Sequence, residues 1–467
     1  MKIFCFIFLQ FTSTQQQLLK IINAFQSHET TKNCNISMCI KNAKNDSSVF
    51  AFFDNKAMPP ASTQKLLTTG TALNILGKDF KFETSLVIKG KIIDSVLYGD
   101  VTIKTNKDPT FGSLKFINYP LIDFANALKS QNIKKIKGKI LIENIEEFNL
   151  PSSWPIGDVG NYYGSFPKNV NYKENSYSVF LNSGKFIGDT VTIAEISPFS
   201  KKWNIINKLK TAELGTGDQV IIYNLPFSND IYFSGTVPLN AKNFEVKGSI
   251  PDVSNILISE FENILKEKKI EIFHQNVVYD FQQQDLKIHK FESPSLDKII
   301  ETCNFRSVNF FADGISNYLV KSSLDTLNNF DILLKRYWQK ENLNLSYFNF
   351  EDGSGLSPVN FISTSALCSF LSKMTKKRDF NSFFYSIPVV GKSGTVANLK
   401  IPNNAKDKIR AKSGSISSVR NYAGYFTNSK NELFSFSIFI NGFNDKIKEE
   451  IKNIYENLFK IMTDVHL

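Results

Sequence analysis

The sequence predicts a mixed α/β chain of the α+β kind, in which helices and a terminal strand pair flank a long β-rich middle. Three observations predict it. At 467 residues the chain exceeds what one ordinary core supports and suits two or three domains. From about Phe82 to Phe291, short alternating apolar stretches are punctuated by Gly, Asn, Asp and Pro at intervals of about ten residues. Outside that region apolar residues return at helical spacing. With 42% hydrophobic and 21% charged residues, the disordered, collagenous and disulfide-knot classes are excluded.

Taken in order, Lys2 precedes the apolar stretch Ile3–Phe11, and small and polar residues follow from Thr12 to Gln17. This is the outline of a cleaved export leader, placed over residues 1–20. Asn35–Ile40 and Ser48–Phe53 read as two strands joined by a polar turn. Pro59-Pro60 breaks the chain, and Ser62–Leu76 reads as a helix that opens on a serine and stops at Gly77. The β-rich middle holds Ser85–Lys89, Leu97–Lys104 and Val191–Ile196. Helical spacing returns at Asn255–Lys266, Leu296–Phe305 and Phe310–Leu327. Asn421–Thr427 and Leu433–Asn441 form a strand pair. A last helix, Lys446–Met462, carries the stripe Ile447, Ile451, Ile454, Leu458, Ile461; its polar face mixes both charge signs, so core packing is preferred to a membrane surface. No later stretch has the roughly 20 apolar residues a membrane span needs.

The net charge is +11, yet only five of the 55 basic residues are Arg. Arg is the residue that reads phosphates and bases, so the charge reflects composition and no nucleic-acid partner is expected. Cys34 and Cys39 lie an odd number of residues apart on a strand and should face opposite sides; with Cys303 and Cys368 they are expected as buried free thiols. Four His and no paired Cys or His spacing give no support to a metal site.

Ser62-Thr-Gln-Lys65 places a hydroxyl and an amine one helical turn apart, at a helix N-terminus that favours developing negative charge. With 46 Ser and 50 Lys this spacing arises by chance, and it recurs at Ser165/Lys168, where Pro167 spoils a helix, and at Ser295/Lys298. Two further motifs decide among them. Ser307-Val-Asn309 opens the helix at Phe310, and Lys412-Ser413-Gly414-Ser415 sits just before the strand pair.

Ser-x-x-Lys, Ser-x-Asn and Lys-[Thr/Ser]-Gly in this order resemble the active site of the penicillin-interacting serine transferases. The layout is more narrowly similar to the low-molecular-mass class C penicillin-binding proteins, the D-alanyl-D-alanine carboxypeptidases/endopeptidases. Ser62 and Ser307 are 245 residues apart and Ser307 and Lys412 are 105 apart, so a long insertion lies between the first two motifs. The resemblance implies a β-lactamase/transpeptidase-like domain, an antiparallel sheet flanked by helices plus an all-helical cluster. That domain is expected in two pieces, 21–85 and 292–467, around a β-rich insertion of two nested domains at 86–291. Further matching blocks are Leu97–Asp100, Asp108–Thr110, Trp154–Asp158 with Tyr162-Tyr163, Ser293–Leu296, Asp352–Ser357 and Ile387–Thr395. Lys392-Ser-Gly394-Thr395 also spells the third motif, but it resembles the family's Gly-x-x-Gly-Thr segment, so Lys412 is taken as the motif lysine.

By this resemblance Ser62 attacks the D-Ala-D-Ala carbonyl and Lys65 takes its proton, provided burial and the charge of Lys412 keep that amine neutral. Ser307 relays a proton to the leaving amine, with a helix N-cap as its structural alternative. Asn309 holds Lys65 and the substrate amide. Lys412 and Ser413 bind the terminal carboxylate, Gly414 permits close approach, and the N–H groups of Ser62 and Ser415 form an oxyanion hole. Ser413 stands where Thr is commoner. Asp158, Trp154 and Tyr163 resemble a site for the free amino end of the stem peptide. No cofactor or metal is implied. Expected partners are peptidoglycan stem peptides and β-lactams, in the periplasm, with homodimerisation left open. The alternatives are a β-lactamase, for which no Glu-x-x-Leu-Asn block exists, and a non-catalytic wall-binding scaffold.

Overall fold

A computed structural model describes residues 12–143, 150–226, 228–276, 285–322 and 329–463. The chain divides into two units. The first comprises Met1–Lys78, Ile300–Ser307 and Ser323–Leu467, the second Asp79–Ile299 and Val308–Ser322.

The first unit is built on a five-stranded antiparallel sheet in the order Ile409–Ile416, Val419–Thr427, Leu433–Asn441, Asn35–Asn42, Ser48–Phe52. Its middle strand shows why the sheet is covered on both sides. Phe434, Phe436, Ile438 and Ile440 alternate onto one face and join a core with Leu18 and Ile22 of helix Ser13–Ser27 and Ile451, Leu458 and Phe459 of helix Lys448–Met462. Each such fully buried side chain contributes roughly 1.5–3 kcal/mol. The residues between them are partly serines, which let helix Thr364–Met374 approach the other face. Ser435 Oγ lies 3.0 Å from Ser372 Oγ, and the Cys368 thiol donates to the Cys39 carbonyl at 3.2 Å. Cys34, Cys39, Cys303 and Cys368 are buried thiols outside any disulfide.

Helix Ser13–Ser27 starts inside the stretch expected as a leader. Thr12 caps it, accepting from Gln15 N at 3.2 Å while the Gln15 side chain accepts from Thr12 N. Leu18 and Ile22 are fully buried. Residues from Thr12 onward therefore belong to the fold, so the expectation of a leader over 1–20 does not hold for 12–20; residues 1–11 lie outside the described set.

In the second unit, a six-stranded sheet orders Glu271–Phe273, Lys135–Lys137, Val96–Thr105, Glu83–Ile93 and Leu286–Glu292, with Ile140–Ile142 also paired to Val96–Thr105. Two smaller sheets are built around Ser176–Asn182 and Asp230–Pro238. Buried side chains from all three sheets and from helices Pro120–Ser130 and Val253–Glu267 form one contiguous core, where two nested domains were expected.

The unit boundaries fall at 78/79 and 299/300, where 85/86 and 291/292 were expected. Helix Asn309–Ser322 also groups with the insertion. Packing explains this: Phe311 stacks on Phe116, Tyr318 packs on Phe80 and Phe82, and Gly314 lies so close to Pro109 that a Cβ there would meet it at 2.6 Å. The helix was expected to reach Leu327; residues 323–327 lie outside the described set. No helix among the described residues is long and apolar enough to cross a membrane.

Candidate active site

The turn that carries Ser62 is set by its attachment to the sheet. Asn421 Nδ2 donates to the Pro59 carbonyl at 2.8 Å, which seats Pro59-Pro60 against the strands. Ala61 then takes φ +46°, and Ala61–Thr63 form a 3-10 turn leading into the α-helix Gln64–Leu76. Ser62 thus lies in the tight turn ahead of the α-helix, where a helical first residue was expected.

Lys65 is fully buried and its Nζ donates to Ser62 Oγ at 2.8 Å and to the Ser354 carbonyl at 2.8 Å. The second acceptor comes from the block Asp352–Ser357, to which sequence reasoning assigned no role. The Asp352 carboxylate shapes that block by accepting from Gly355 N at 2.7 Å, Ser357 N at 2.6 Å and Asn360 Nδ2 at 2.9 Å. Thr68 Oγ1 donates to the Gly353 carbonyl at 2.6 Å, and Gln64 Nε2 donates to that of Asp352. Gly355 takes φ +82°, and a Cβ there would lie 2.0 Å from the Ala61 carbonyl oxygen. The signal for this role was present in the paired glycines of Asp-Gly-Ser-Gly, but only contact with the Ser62 turn gives it meaning.

Lys412 is also fully buried; its Nζ donates to Ser307 Oγ at 2.9 Å and to the Ser413 carbonyl at 2.8 Å. Burial pushes its ammonium well below the usual lysine range, and the charge of Lys65 pushes it further. Lys392 of the competing motif is exposed and pairs with Asp407 at 2.7 Å. Ser307 adopts φ +55°, and its hydroxyl accepts from Lys412 Nζ. Asn304 anchors the segment that carries it, donating to Ser386 Oγ at 2.9 Å and Thr69 Oγ1 at 3.2 Å.

On strand Ile409–Ile416, Gly414 abuts the Ser62 turn: a Cβ there would lie 2.6 Å from the Pro60 carbonyl oxygen and 3.1 Å from Ser62 N. Ser415, one residue on, is exposed. Thr395 Oγ1 lies 2.7 Å from Ser413 Oγ, a contact sequence reasoning missed.

The second unit holds the remaining residues. Asn309 Nδ2 donates to the Tyr163 carbonyl at 2.8 Å, and the Tyr163 hydroxyl hydrogen-bonds to Asp158. Burial raises the Asp158 pKa against the opposing effect of that bond, and burial followed by the Asp158 charge raises that of Tyr163. Trp154, expected to face substrate, is 6% exposed and packs edge-to-face on Phe166. Its indole therefore supports this segment from within. Among the described residues no group of side chains could hold a metal ion.

A serine hydrogen-bonded to a buried lysine, with a second buried lysine on an edge strand of an antiparallel sheet, lies on a β-lactamase/transpeptidase-like fold. The chain belongs to the D-Ala-D-Ala carboxypeptidase 3 (S13) family, a serine peptidase family whose model matches residues 18–463. It is 25% identical over 449 residues to the D-alanyl-D-alanine carboxypeptidase DacB of Haemophilus influenzae, covering 91% of each chain. It is also 25% identical to the penicillin-sensitive carboxypeptidase A of Dictyostelium discoideum, covering 84% of this chain and 80% of that protein. The crystal structure of penicillin binding protein 4 (dacB) from Haemophilus influenzae superposes with a TM-score of 0.79 at 22% identity, over 96% of this chain and 99% of that one.

Proposed function

We propose that this protein is an exported serine D-Ala-D-Ala carboxypeptidase that also opens peptidoglycan cross-links and is acylated by penicillins. The observation that carries the reading is the 2.8 Å hydrogen bond from Lys65 Nζ to Ser62 Oγ, in a chain whose family is defined by this activity.

In this mechanism Lys65 accepts the Ser62 proton as Oγ attacks the carbonyl between the two D-alanines. That step draws on the Lys65 amine, whose Nζ lies 2.8 Å from Ser62 Oγ. The backbone N–H groups of Ser62 and Ser415 receive the oxyanion, and each such donor is worth about 3 kcal/mol in comparable enzymes. Ser307, held by Lys412, passes a proton to the departing D-alanine, while Lys412 and Ser413 bind its carboxylate. Water then hydrolyses the acyl-enzyme. The first unit has 28 basic against 17 acidic residues and the second 27 against 27, so the whole excess of +11 lies in the unit that holds the nucleophile. That bias suits a substrate ending in a carboxylate. Asp158, hydrogen-bonded to Tyr163, is the carboxylate this reading assigns to a free amino group of the stem peptide.

Incubation with a pentapeptide ending in D-Ala-D-Ala releases D-alanine, and intact-mass measurement finds penicillin covalently on Ser62. Digestion of whole peptidoglycan converts cross-linked dimers to monomers. Rapid, repeated turnover of a chromogenic β-lactam would instead make the protein a β-lactamase. Unchanged D-alanine release by Ser62→Ala would end the serine mechanism.

A further inference from the structure

We infer that Thr395 is a positioning residue for recognition of the substrate's terminal carboxylate, acting through Ser413; this rests on the carboxypeptidase reading above. Ser413 must present its hydroxyl proton to the carboxylate. A threonine there would have its χ1 restricted by the β-branch, whereas a serine hydroxyl is free to occupy three staggered wells. This chain has the serine. In this chain a restraint on the serine comes from outside: Thr395 Oγ1 lies 2.7 Å from Ser413 Oγ. With Thr395 as donor, Ser413 Oγ accepts, and its own proton is left directed at the ligand.

Thr395 can do this because its loop is fixed. Gly394 adopts φ +56°, and a Cβ there would meet the Phe305 carbonyl oxygen and a Pro388 ring atom, each at 2.8 Å, so the chain is pressed against its support. Val396 is fully buried, and Gly391 N donates to its carbonyl at 3.0 Å. Segment 388–390 is in turn hydrogen-bonded to the motif strand, with Ala411 N donating to the Pro388 carbonyl at 2.9 Å and Val390 N to that of Ile409 at 2.9 Å. Thr395 is therefore held at a constant height above Ser413. The second copy of the Lys-Ser-Gly spelling, at 392–394, has a different purpose from the first: it delivers the threonine that follows it.

The test compares kcat/KM for two peptides ending in D-Ala-D-Ala, one with the free carboxylate and one with a terminal carboxamide, for wild type, Thr395→Val, Thr395→Ser and Thr395→Val/Ser413→Thr. The readout is the carboxylate-to-carboxamide ratio, from which any loss of folded protein cancels. Thr395→Val is expected to lower that ratio about five- to tenfold, the effect of one ordered hydrogen bond, mainly through KM. Thr395→Ser keeps the wild-type ratio. Adding Ser413→Thr to Thr395→Val restores it, because the β-branch makes the outside restraint unnecessary. An unchanged ratio in Thr395→Val overturns the inference. So does failure of Ser413→Thr to rescue, which would make Thr395 a direct ligand. If wild type releases no D-alanine at all, the carboxypeptidase reading fails first; if it does and only the ratio is unmoved, this inference alone fails.

Discussion

Replacing Gly414 by alanine tests how tightly strand Ile409–Ile416 is set against the Ser62 turn. Gly414 does not need glycine's left-handed freedom, so the effect of the substitution is steric. The added Cβ would lie 2.6 Å from the Pro60 carbonyl oxygen, 3.0 Å from Thr63 N and 3.1 Å from Ser62 N, against an ordinary contact starting at 3.4 Å. All three neighbours are backbone atoms, so no side chain can rotate away. The turn is tied to the sheet through Asn421 Nδ2 and the Pro59 carbonyl, and the strand is paired along Ile409–Ile416, so neither partner yields without distortion. The gap must widen by about 0.5–0.8 Å, and the two proposed oxyanion donors, on either side of that gap, separate with it. A displacement approaching 1 Å costs about 100-fold in a preorganised site. We therefore expect Gly414→Ala to acylate with penicillin about 30- to 100-fold more slowly per folded molecule, and to lose about 1–3 kcal/mol of stability from overpacking. Stopped-flow or mass-spectrometric acylation rates, read with thermal melting, measure both. Acylation within about threefold of wild type at an unchanged melting temperature would refute the argument.

Four further substitutions probe other parts of the protein. Lys412→Ala should reduce D-alanine release by about 100- to 10,000-fold, whereas Lys392→Ala, which removes only an exposed ion pair, should stay within about twofold; equal losses would mean the wrong lysine had been assigned. Asp352→Asn replaces a carboxylate that accepts three hydrogen bonds and should cost about 2–3 kcal/mol in denaturant unfolding, with slower acylation because the Ser354 carbonyl no longer holds Lys65 in place. Asp108 is fully buried, accepts from Thr110 N and Oγ1 on one oxygen, and has its pKa raised by burial to about 6. Its folded-state pKa is above the unfolded value of 3.8, so its contribution to stability falls as pH rises from about 4 through 6. Asp108→Asn should accordingly be more stable than wild type by about 1–3 kcal/mol at pH 7.5 and show no gain at pH 4; urea midpoints at the two pH values decide it, and a gain equal at both would rule out titration as the cause.

Much of the site was legible because its chemistry sits in short contiguous motifs. Ser62 and Lys65 meet through helical spacing alone, and Gly414 announces a close approach before any partner is known. The Leu433–Asn441 strand and the Lys448–Met462 helix were legible for a related reason: each carries its own period of apolar residues. The N-terminal helix was not. Its polar Thr12–Gln17 start follows an apolar run, and a leader and a packed helix share that pattern; burial of Leu18 and Ile22 against the C-terminal helix separates them.

The sequence by itself determined the chain order of the three motifs carrying Ser62, Lys65, Ser307, Asn309 and Lys412 and the presence of a long β-rich stretch between the first two, since both are written in local spacing and chain distance. The tertiary structure decided which of two Lys-Ser-Gly copies is buried with Ser307, that Ser354 supplies the acceptor for Lys65, and that Thr395 meets Ser413. It also decided that Trp154 is packed inside and that helix Asn309–Ser322 groups with the insertion. The physical reason is common to all of these. Burial, and hydrogen bonds between residues such as Lys65 and Ser354, 289 positions apart, depend on where the backbone brings distant segments together, and no local pattern of side chains encodes that.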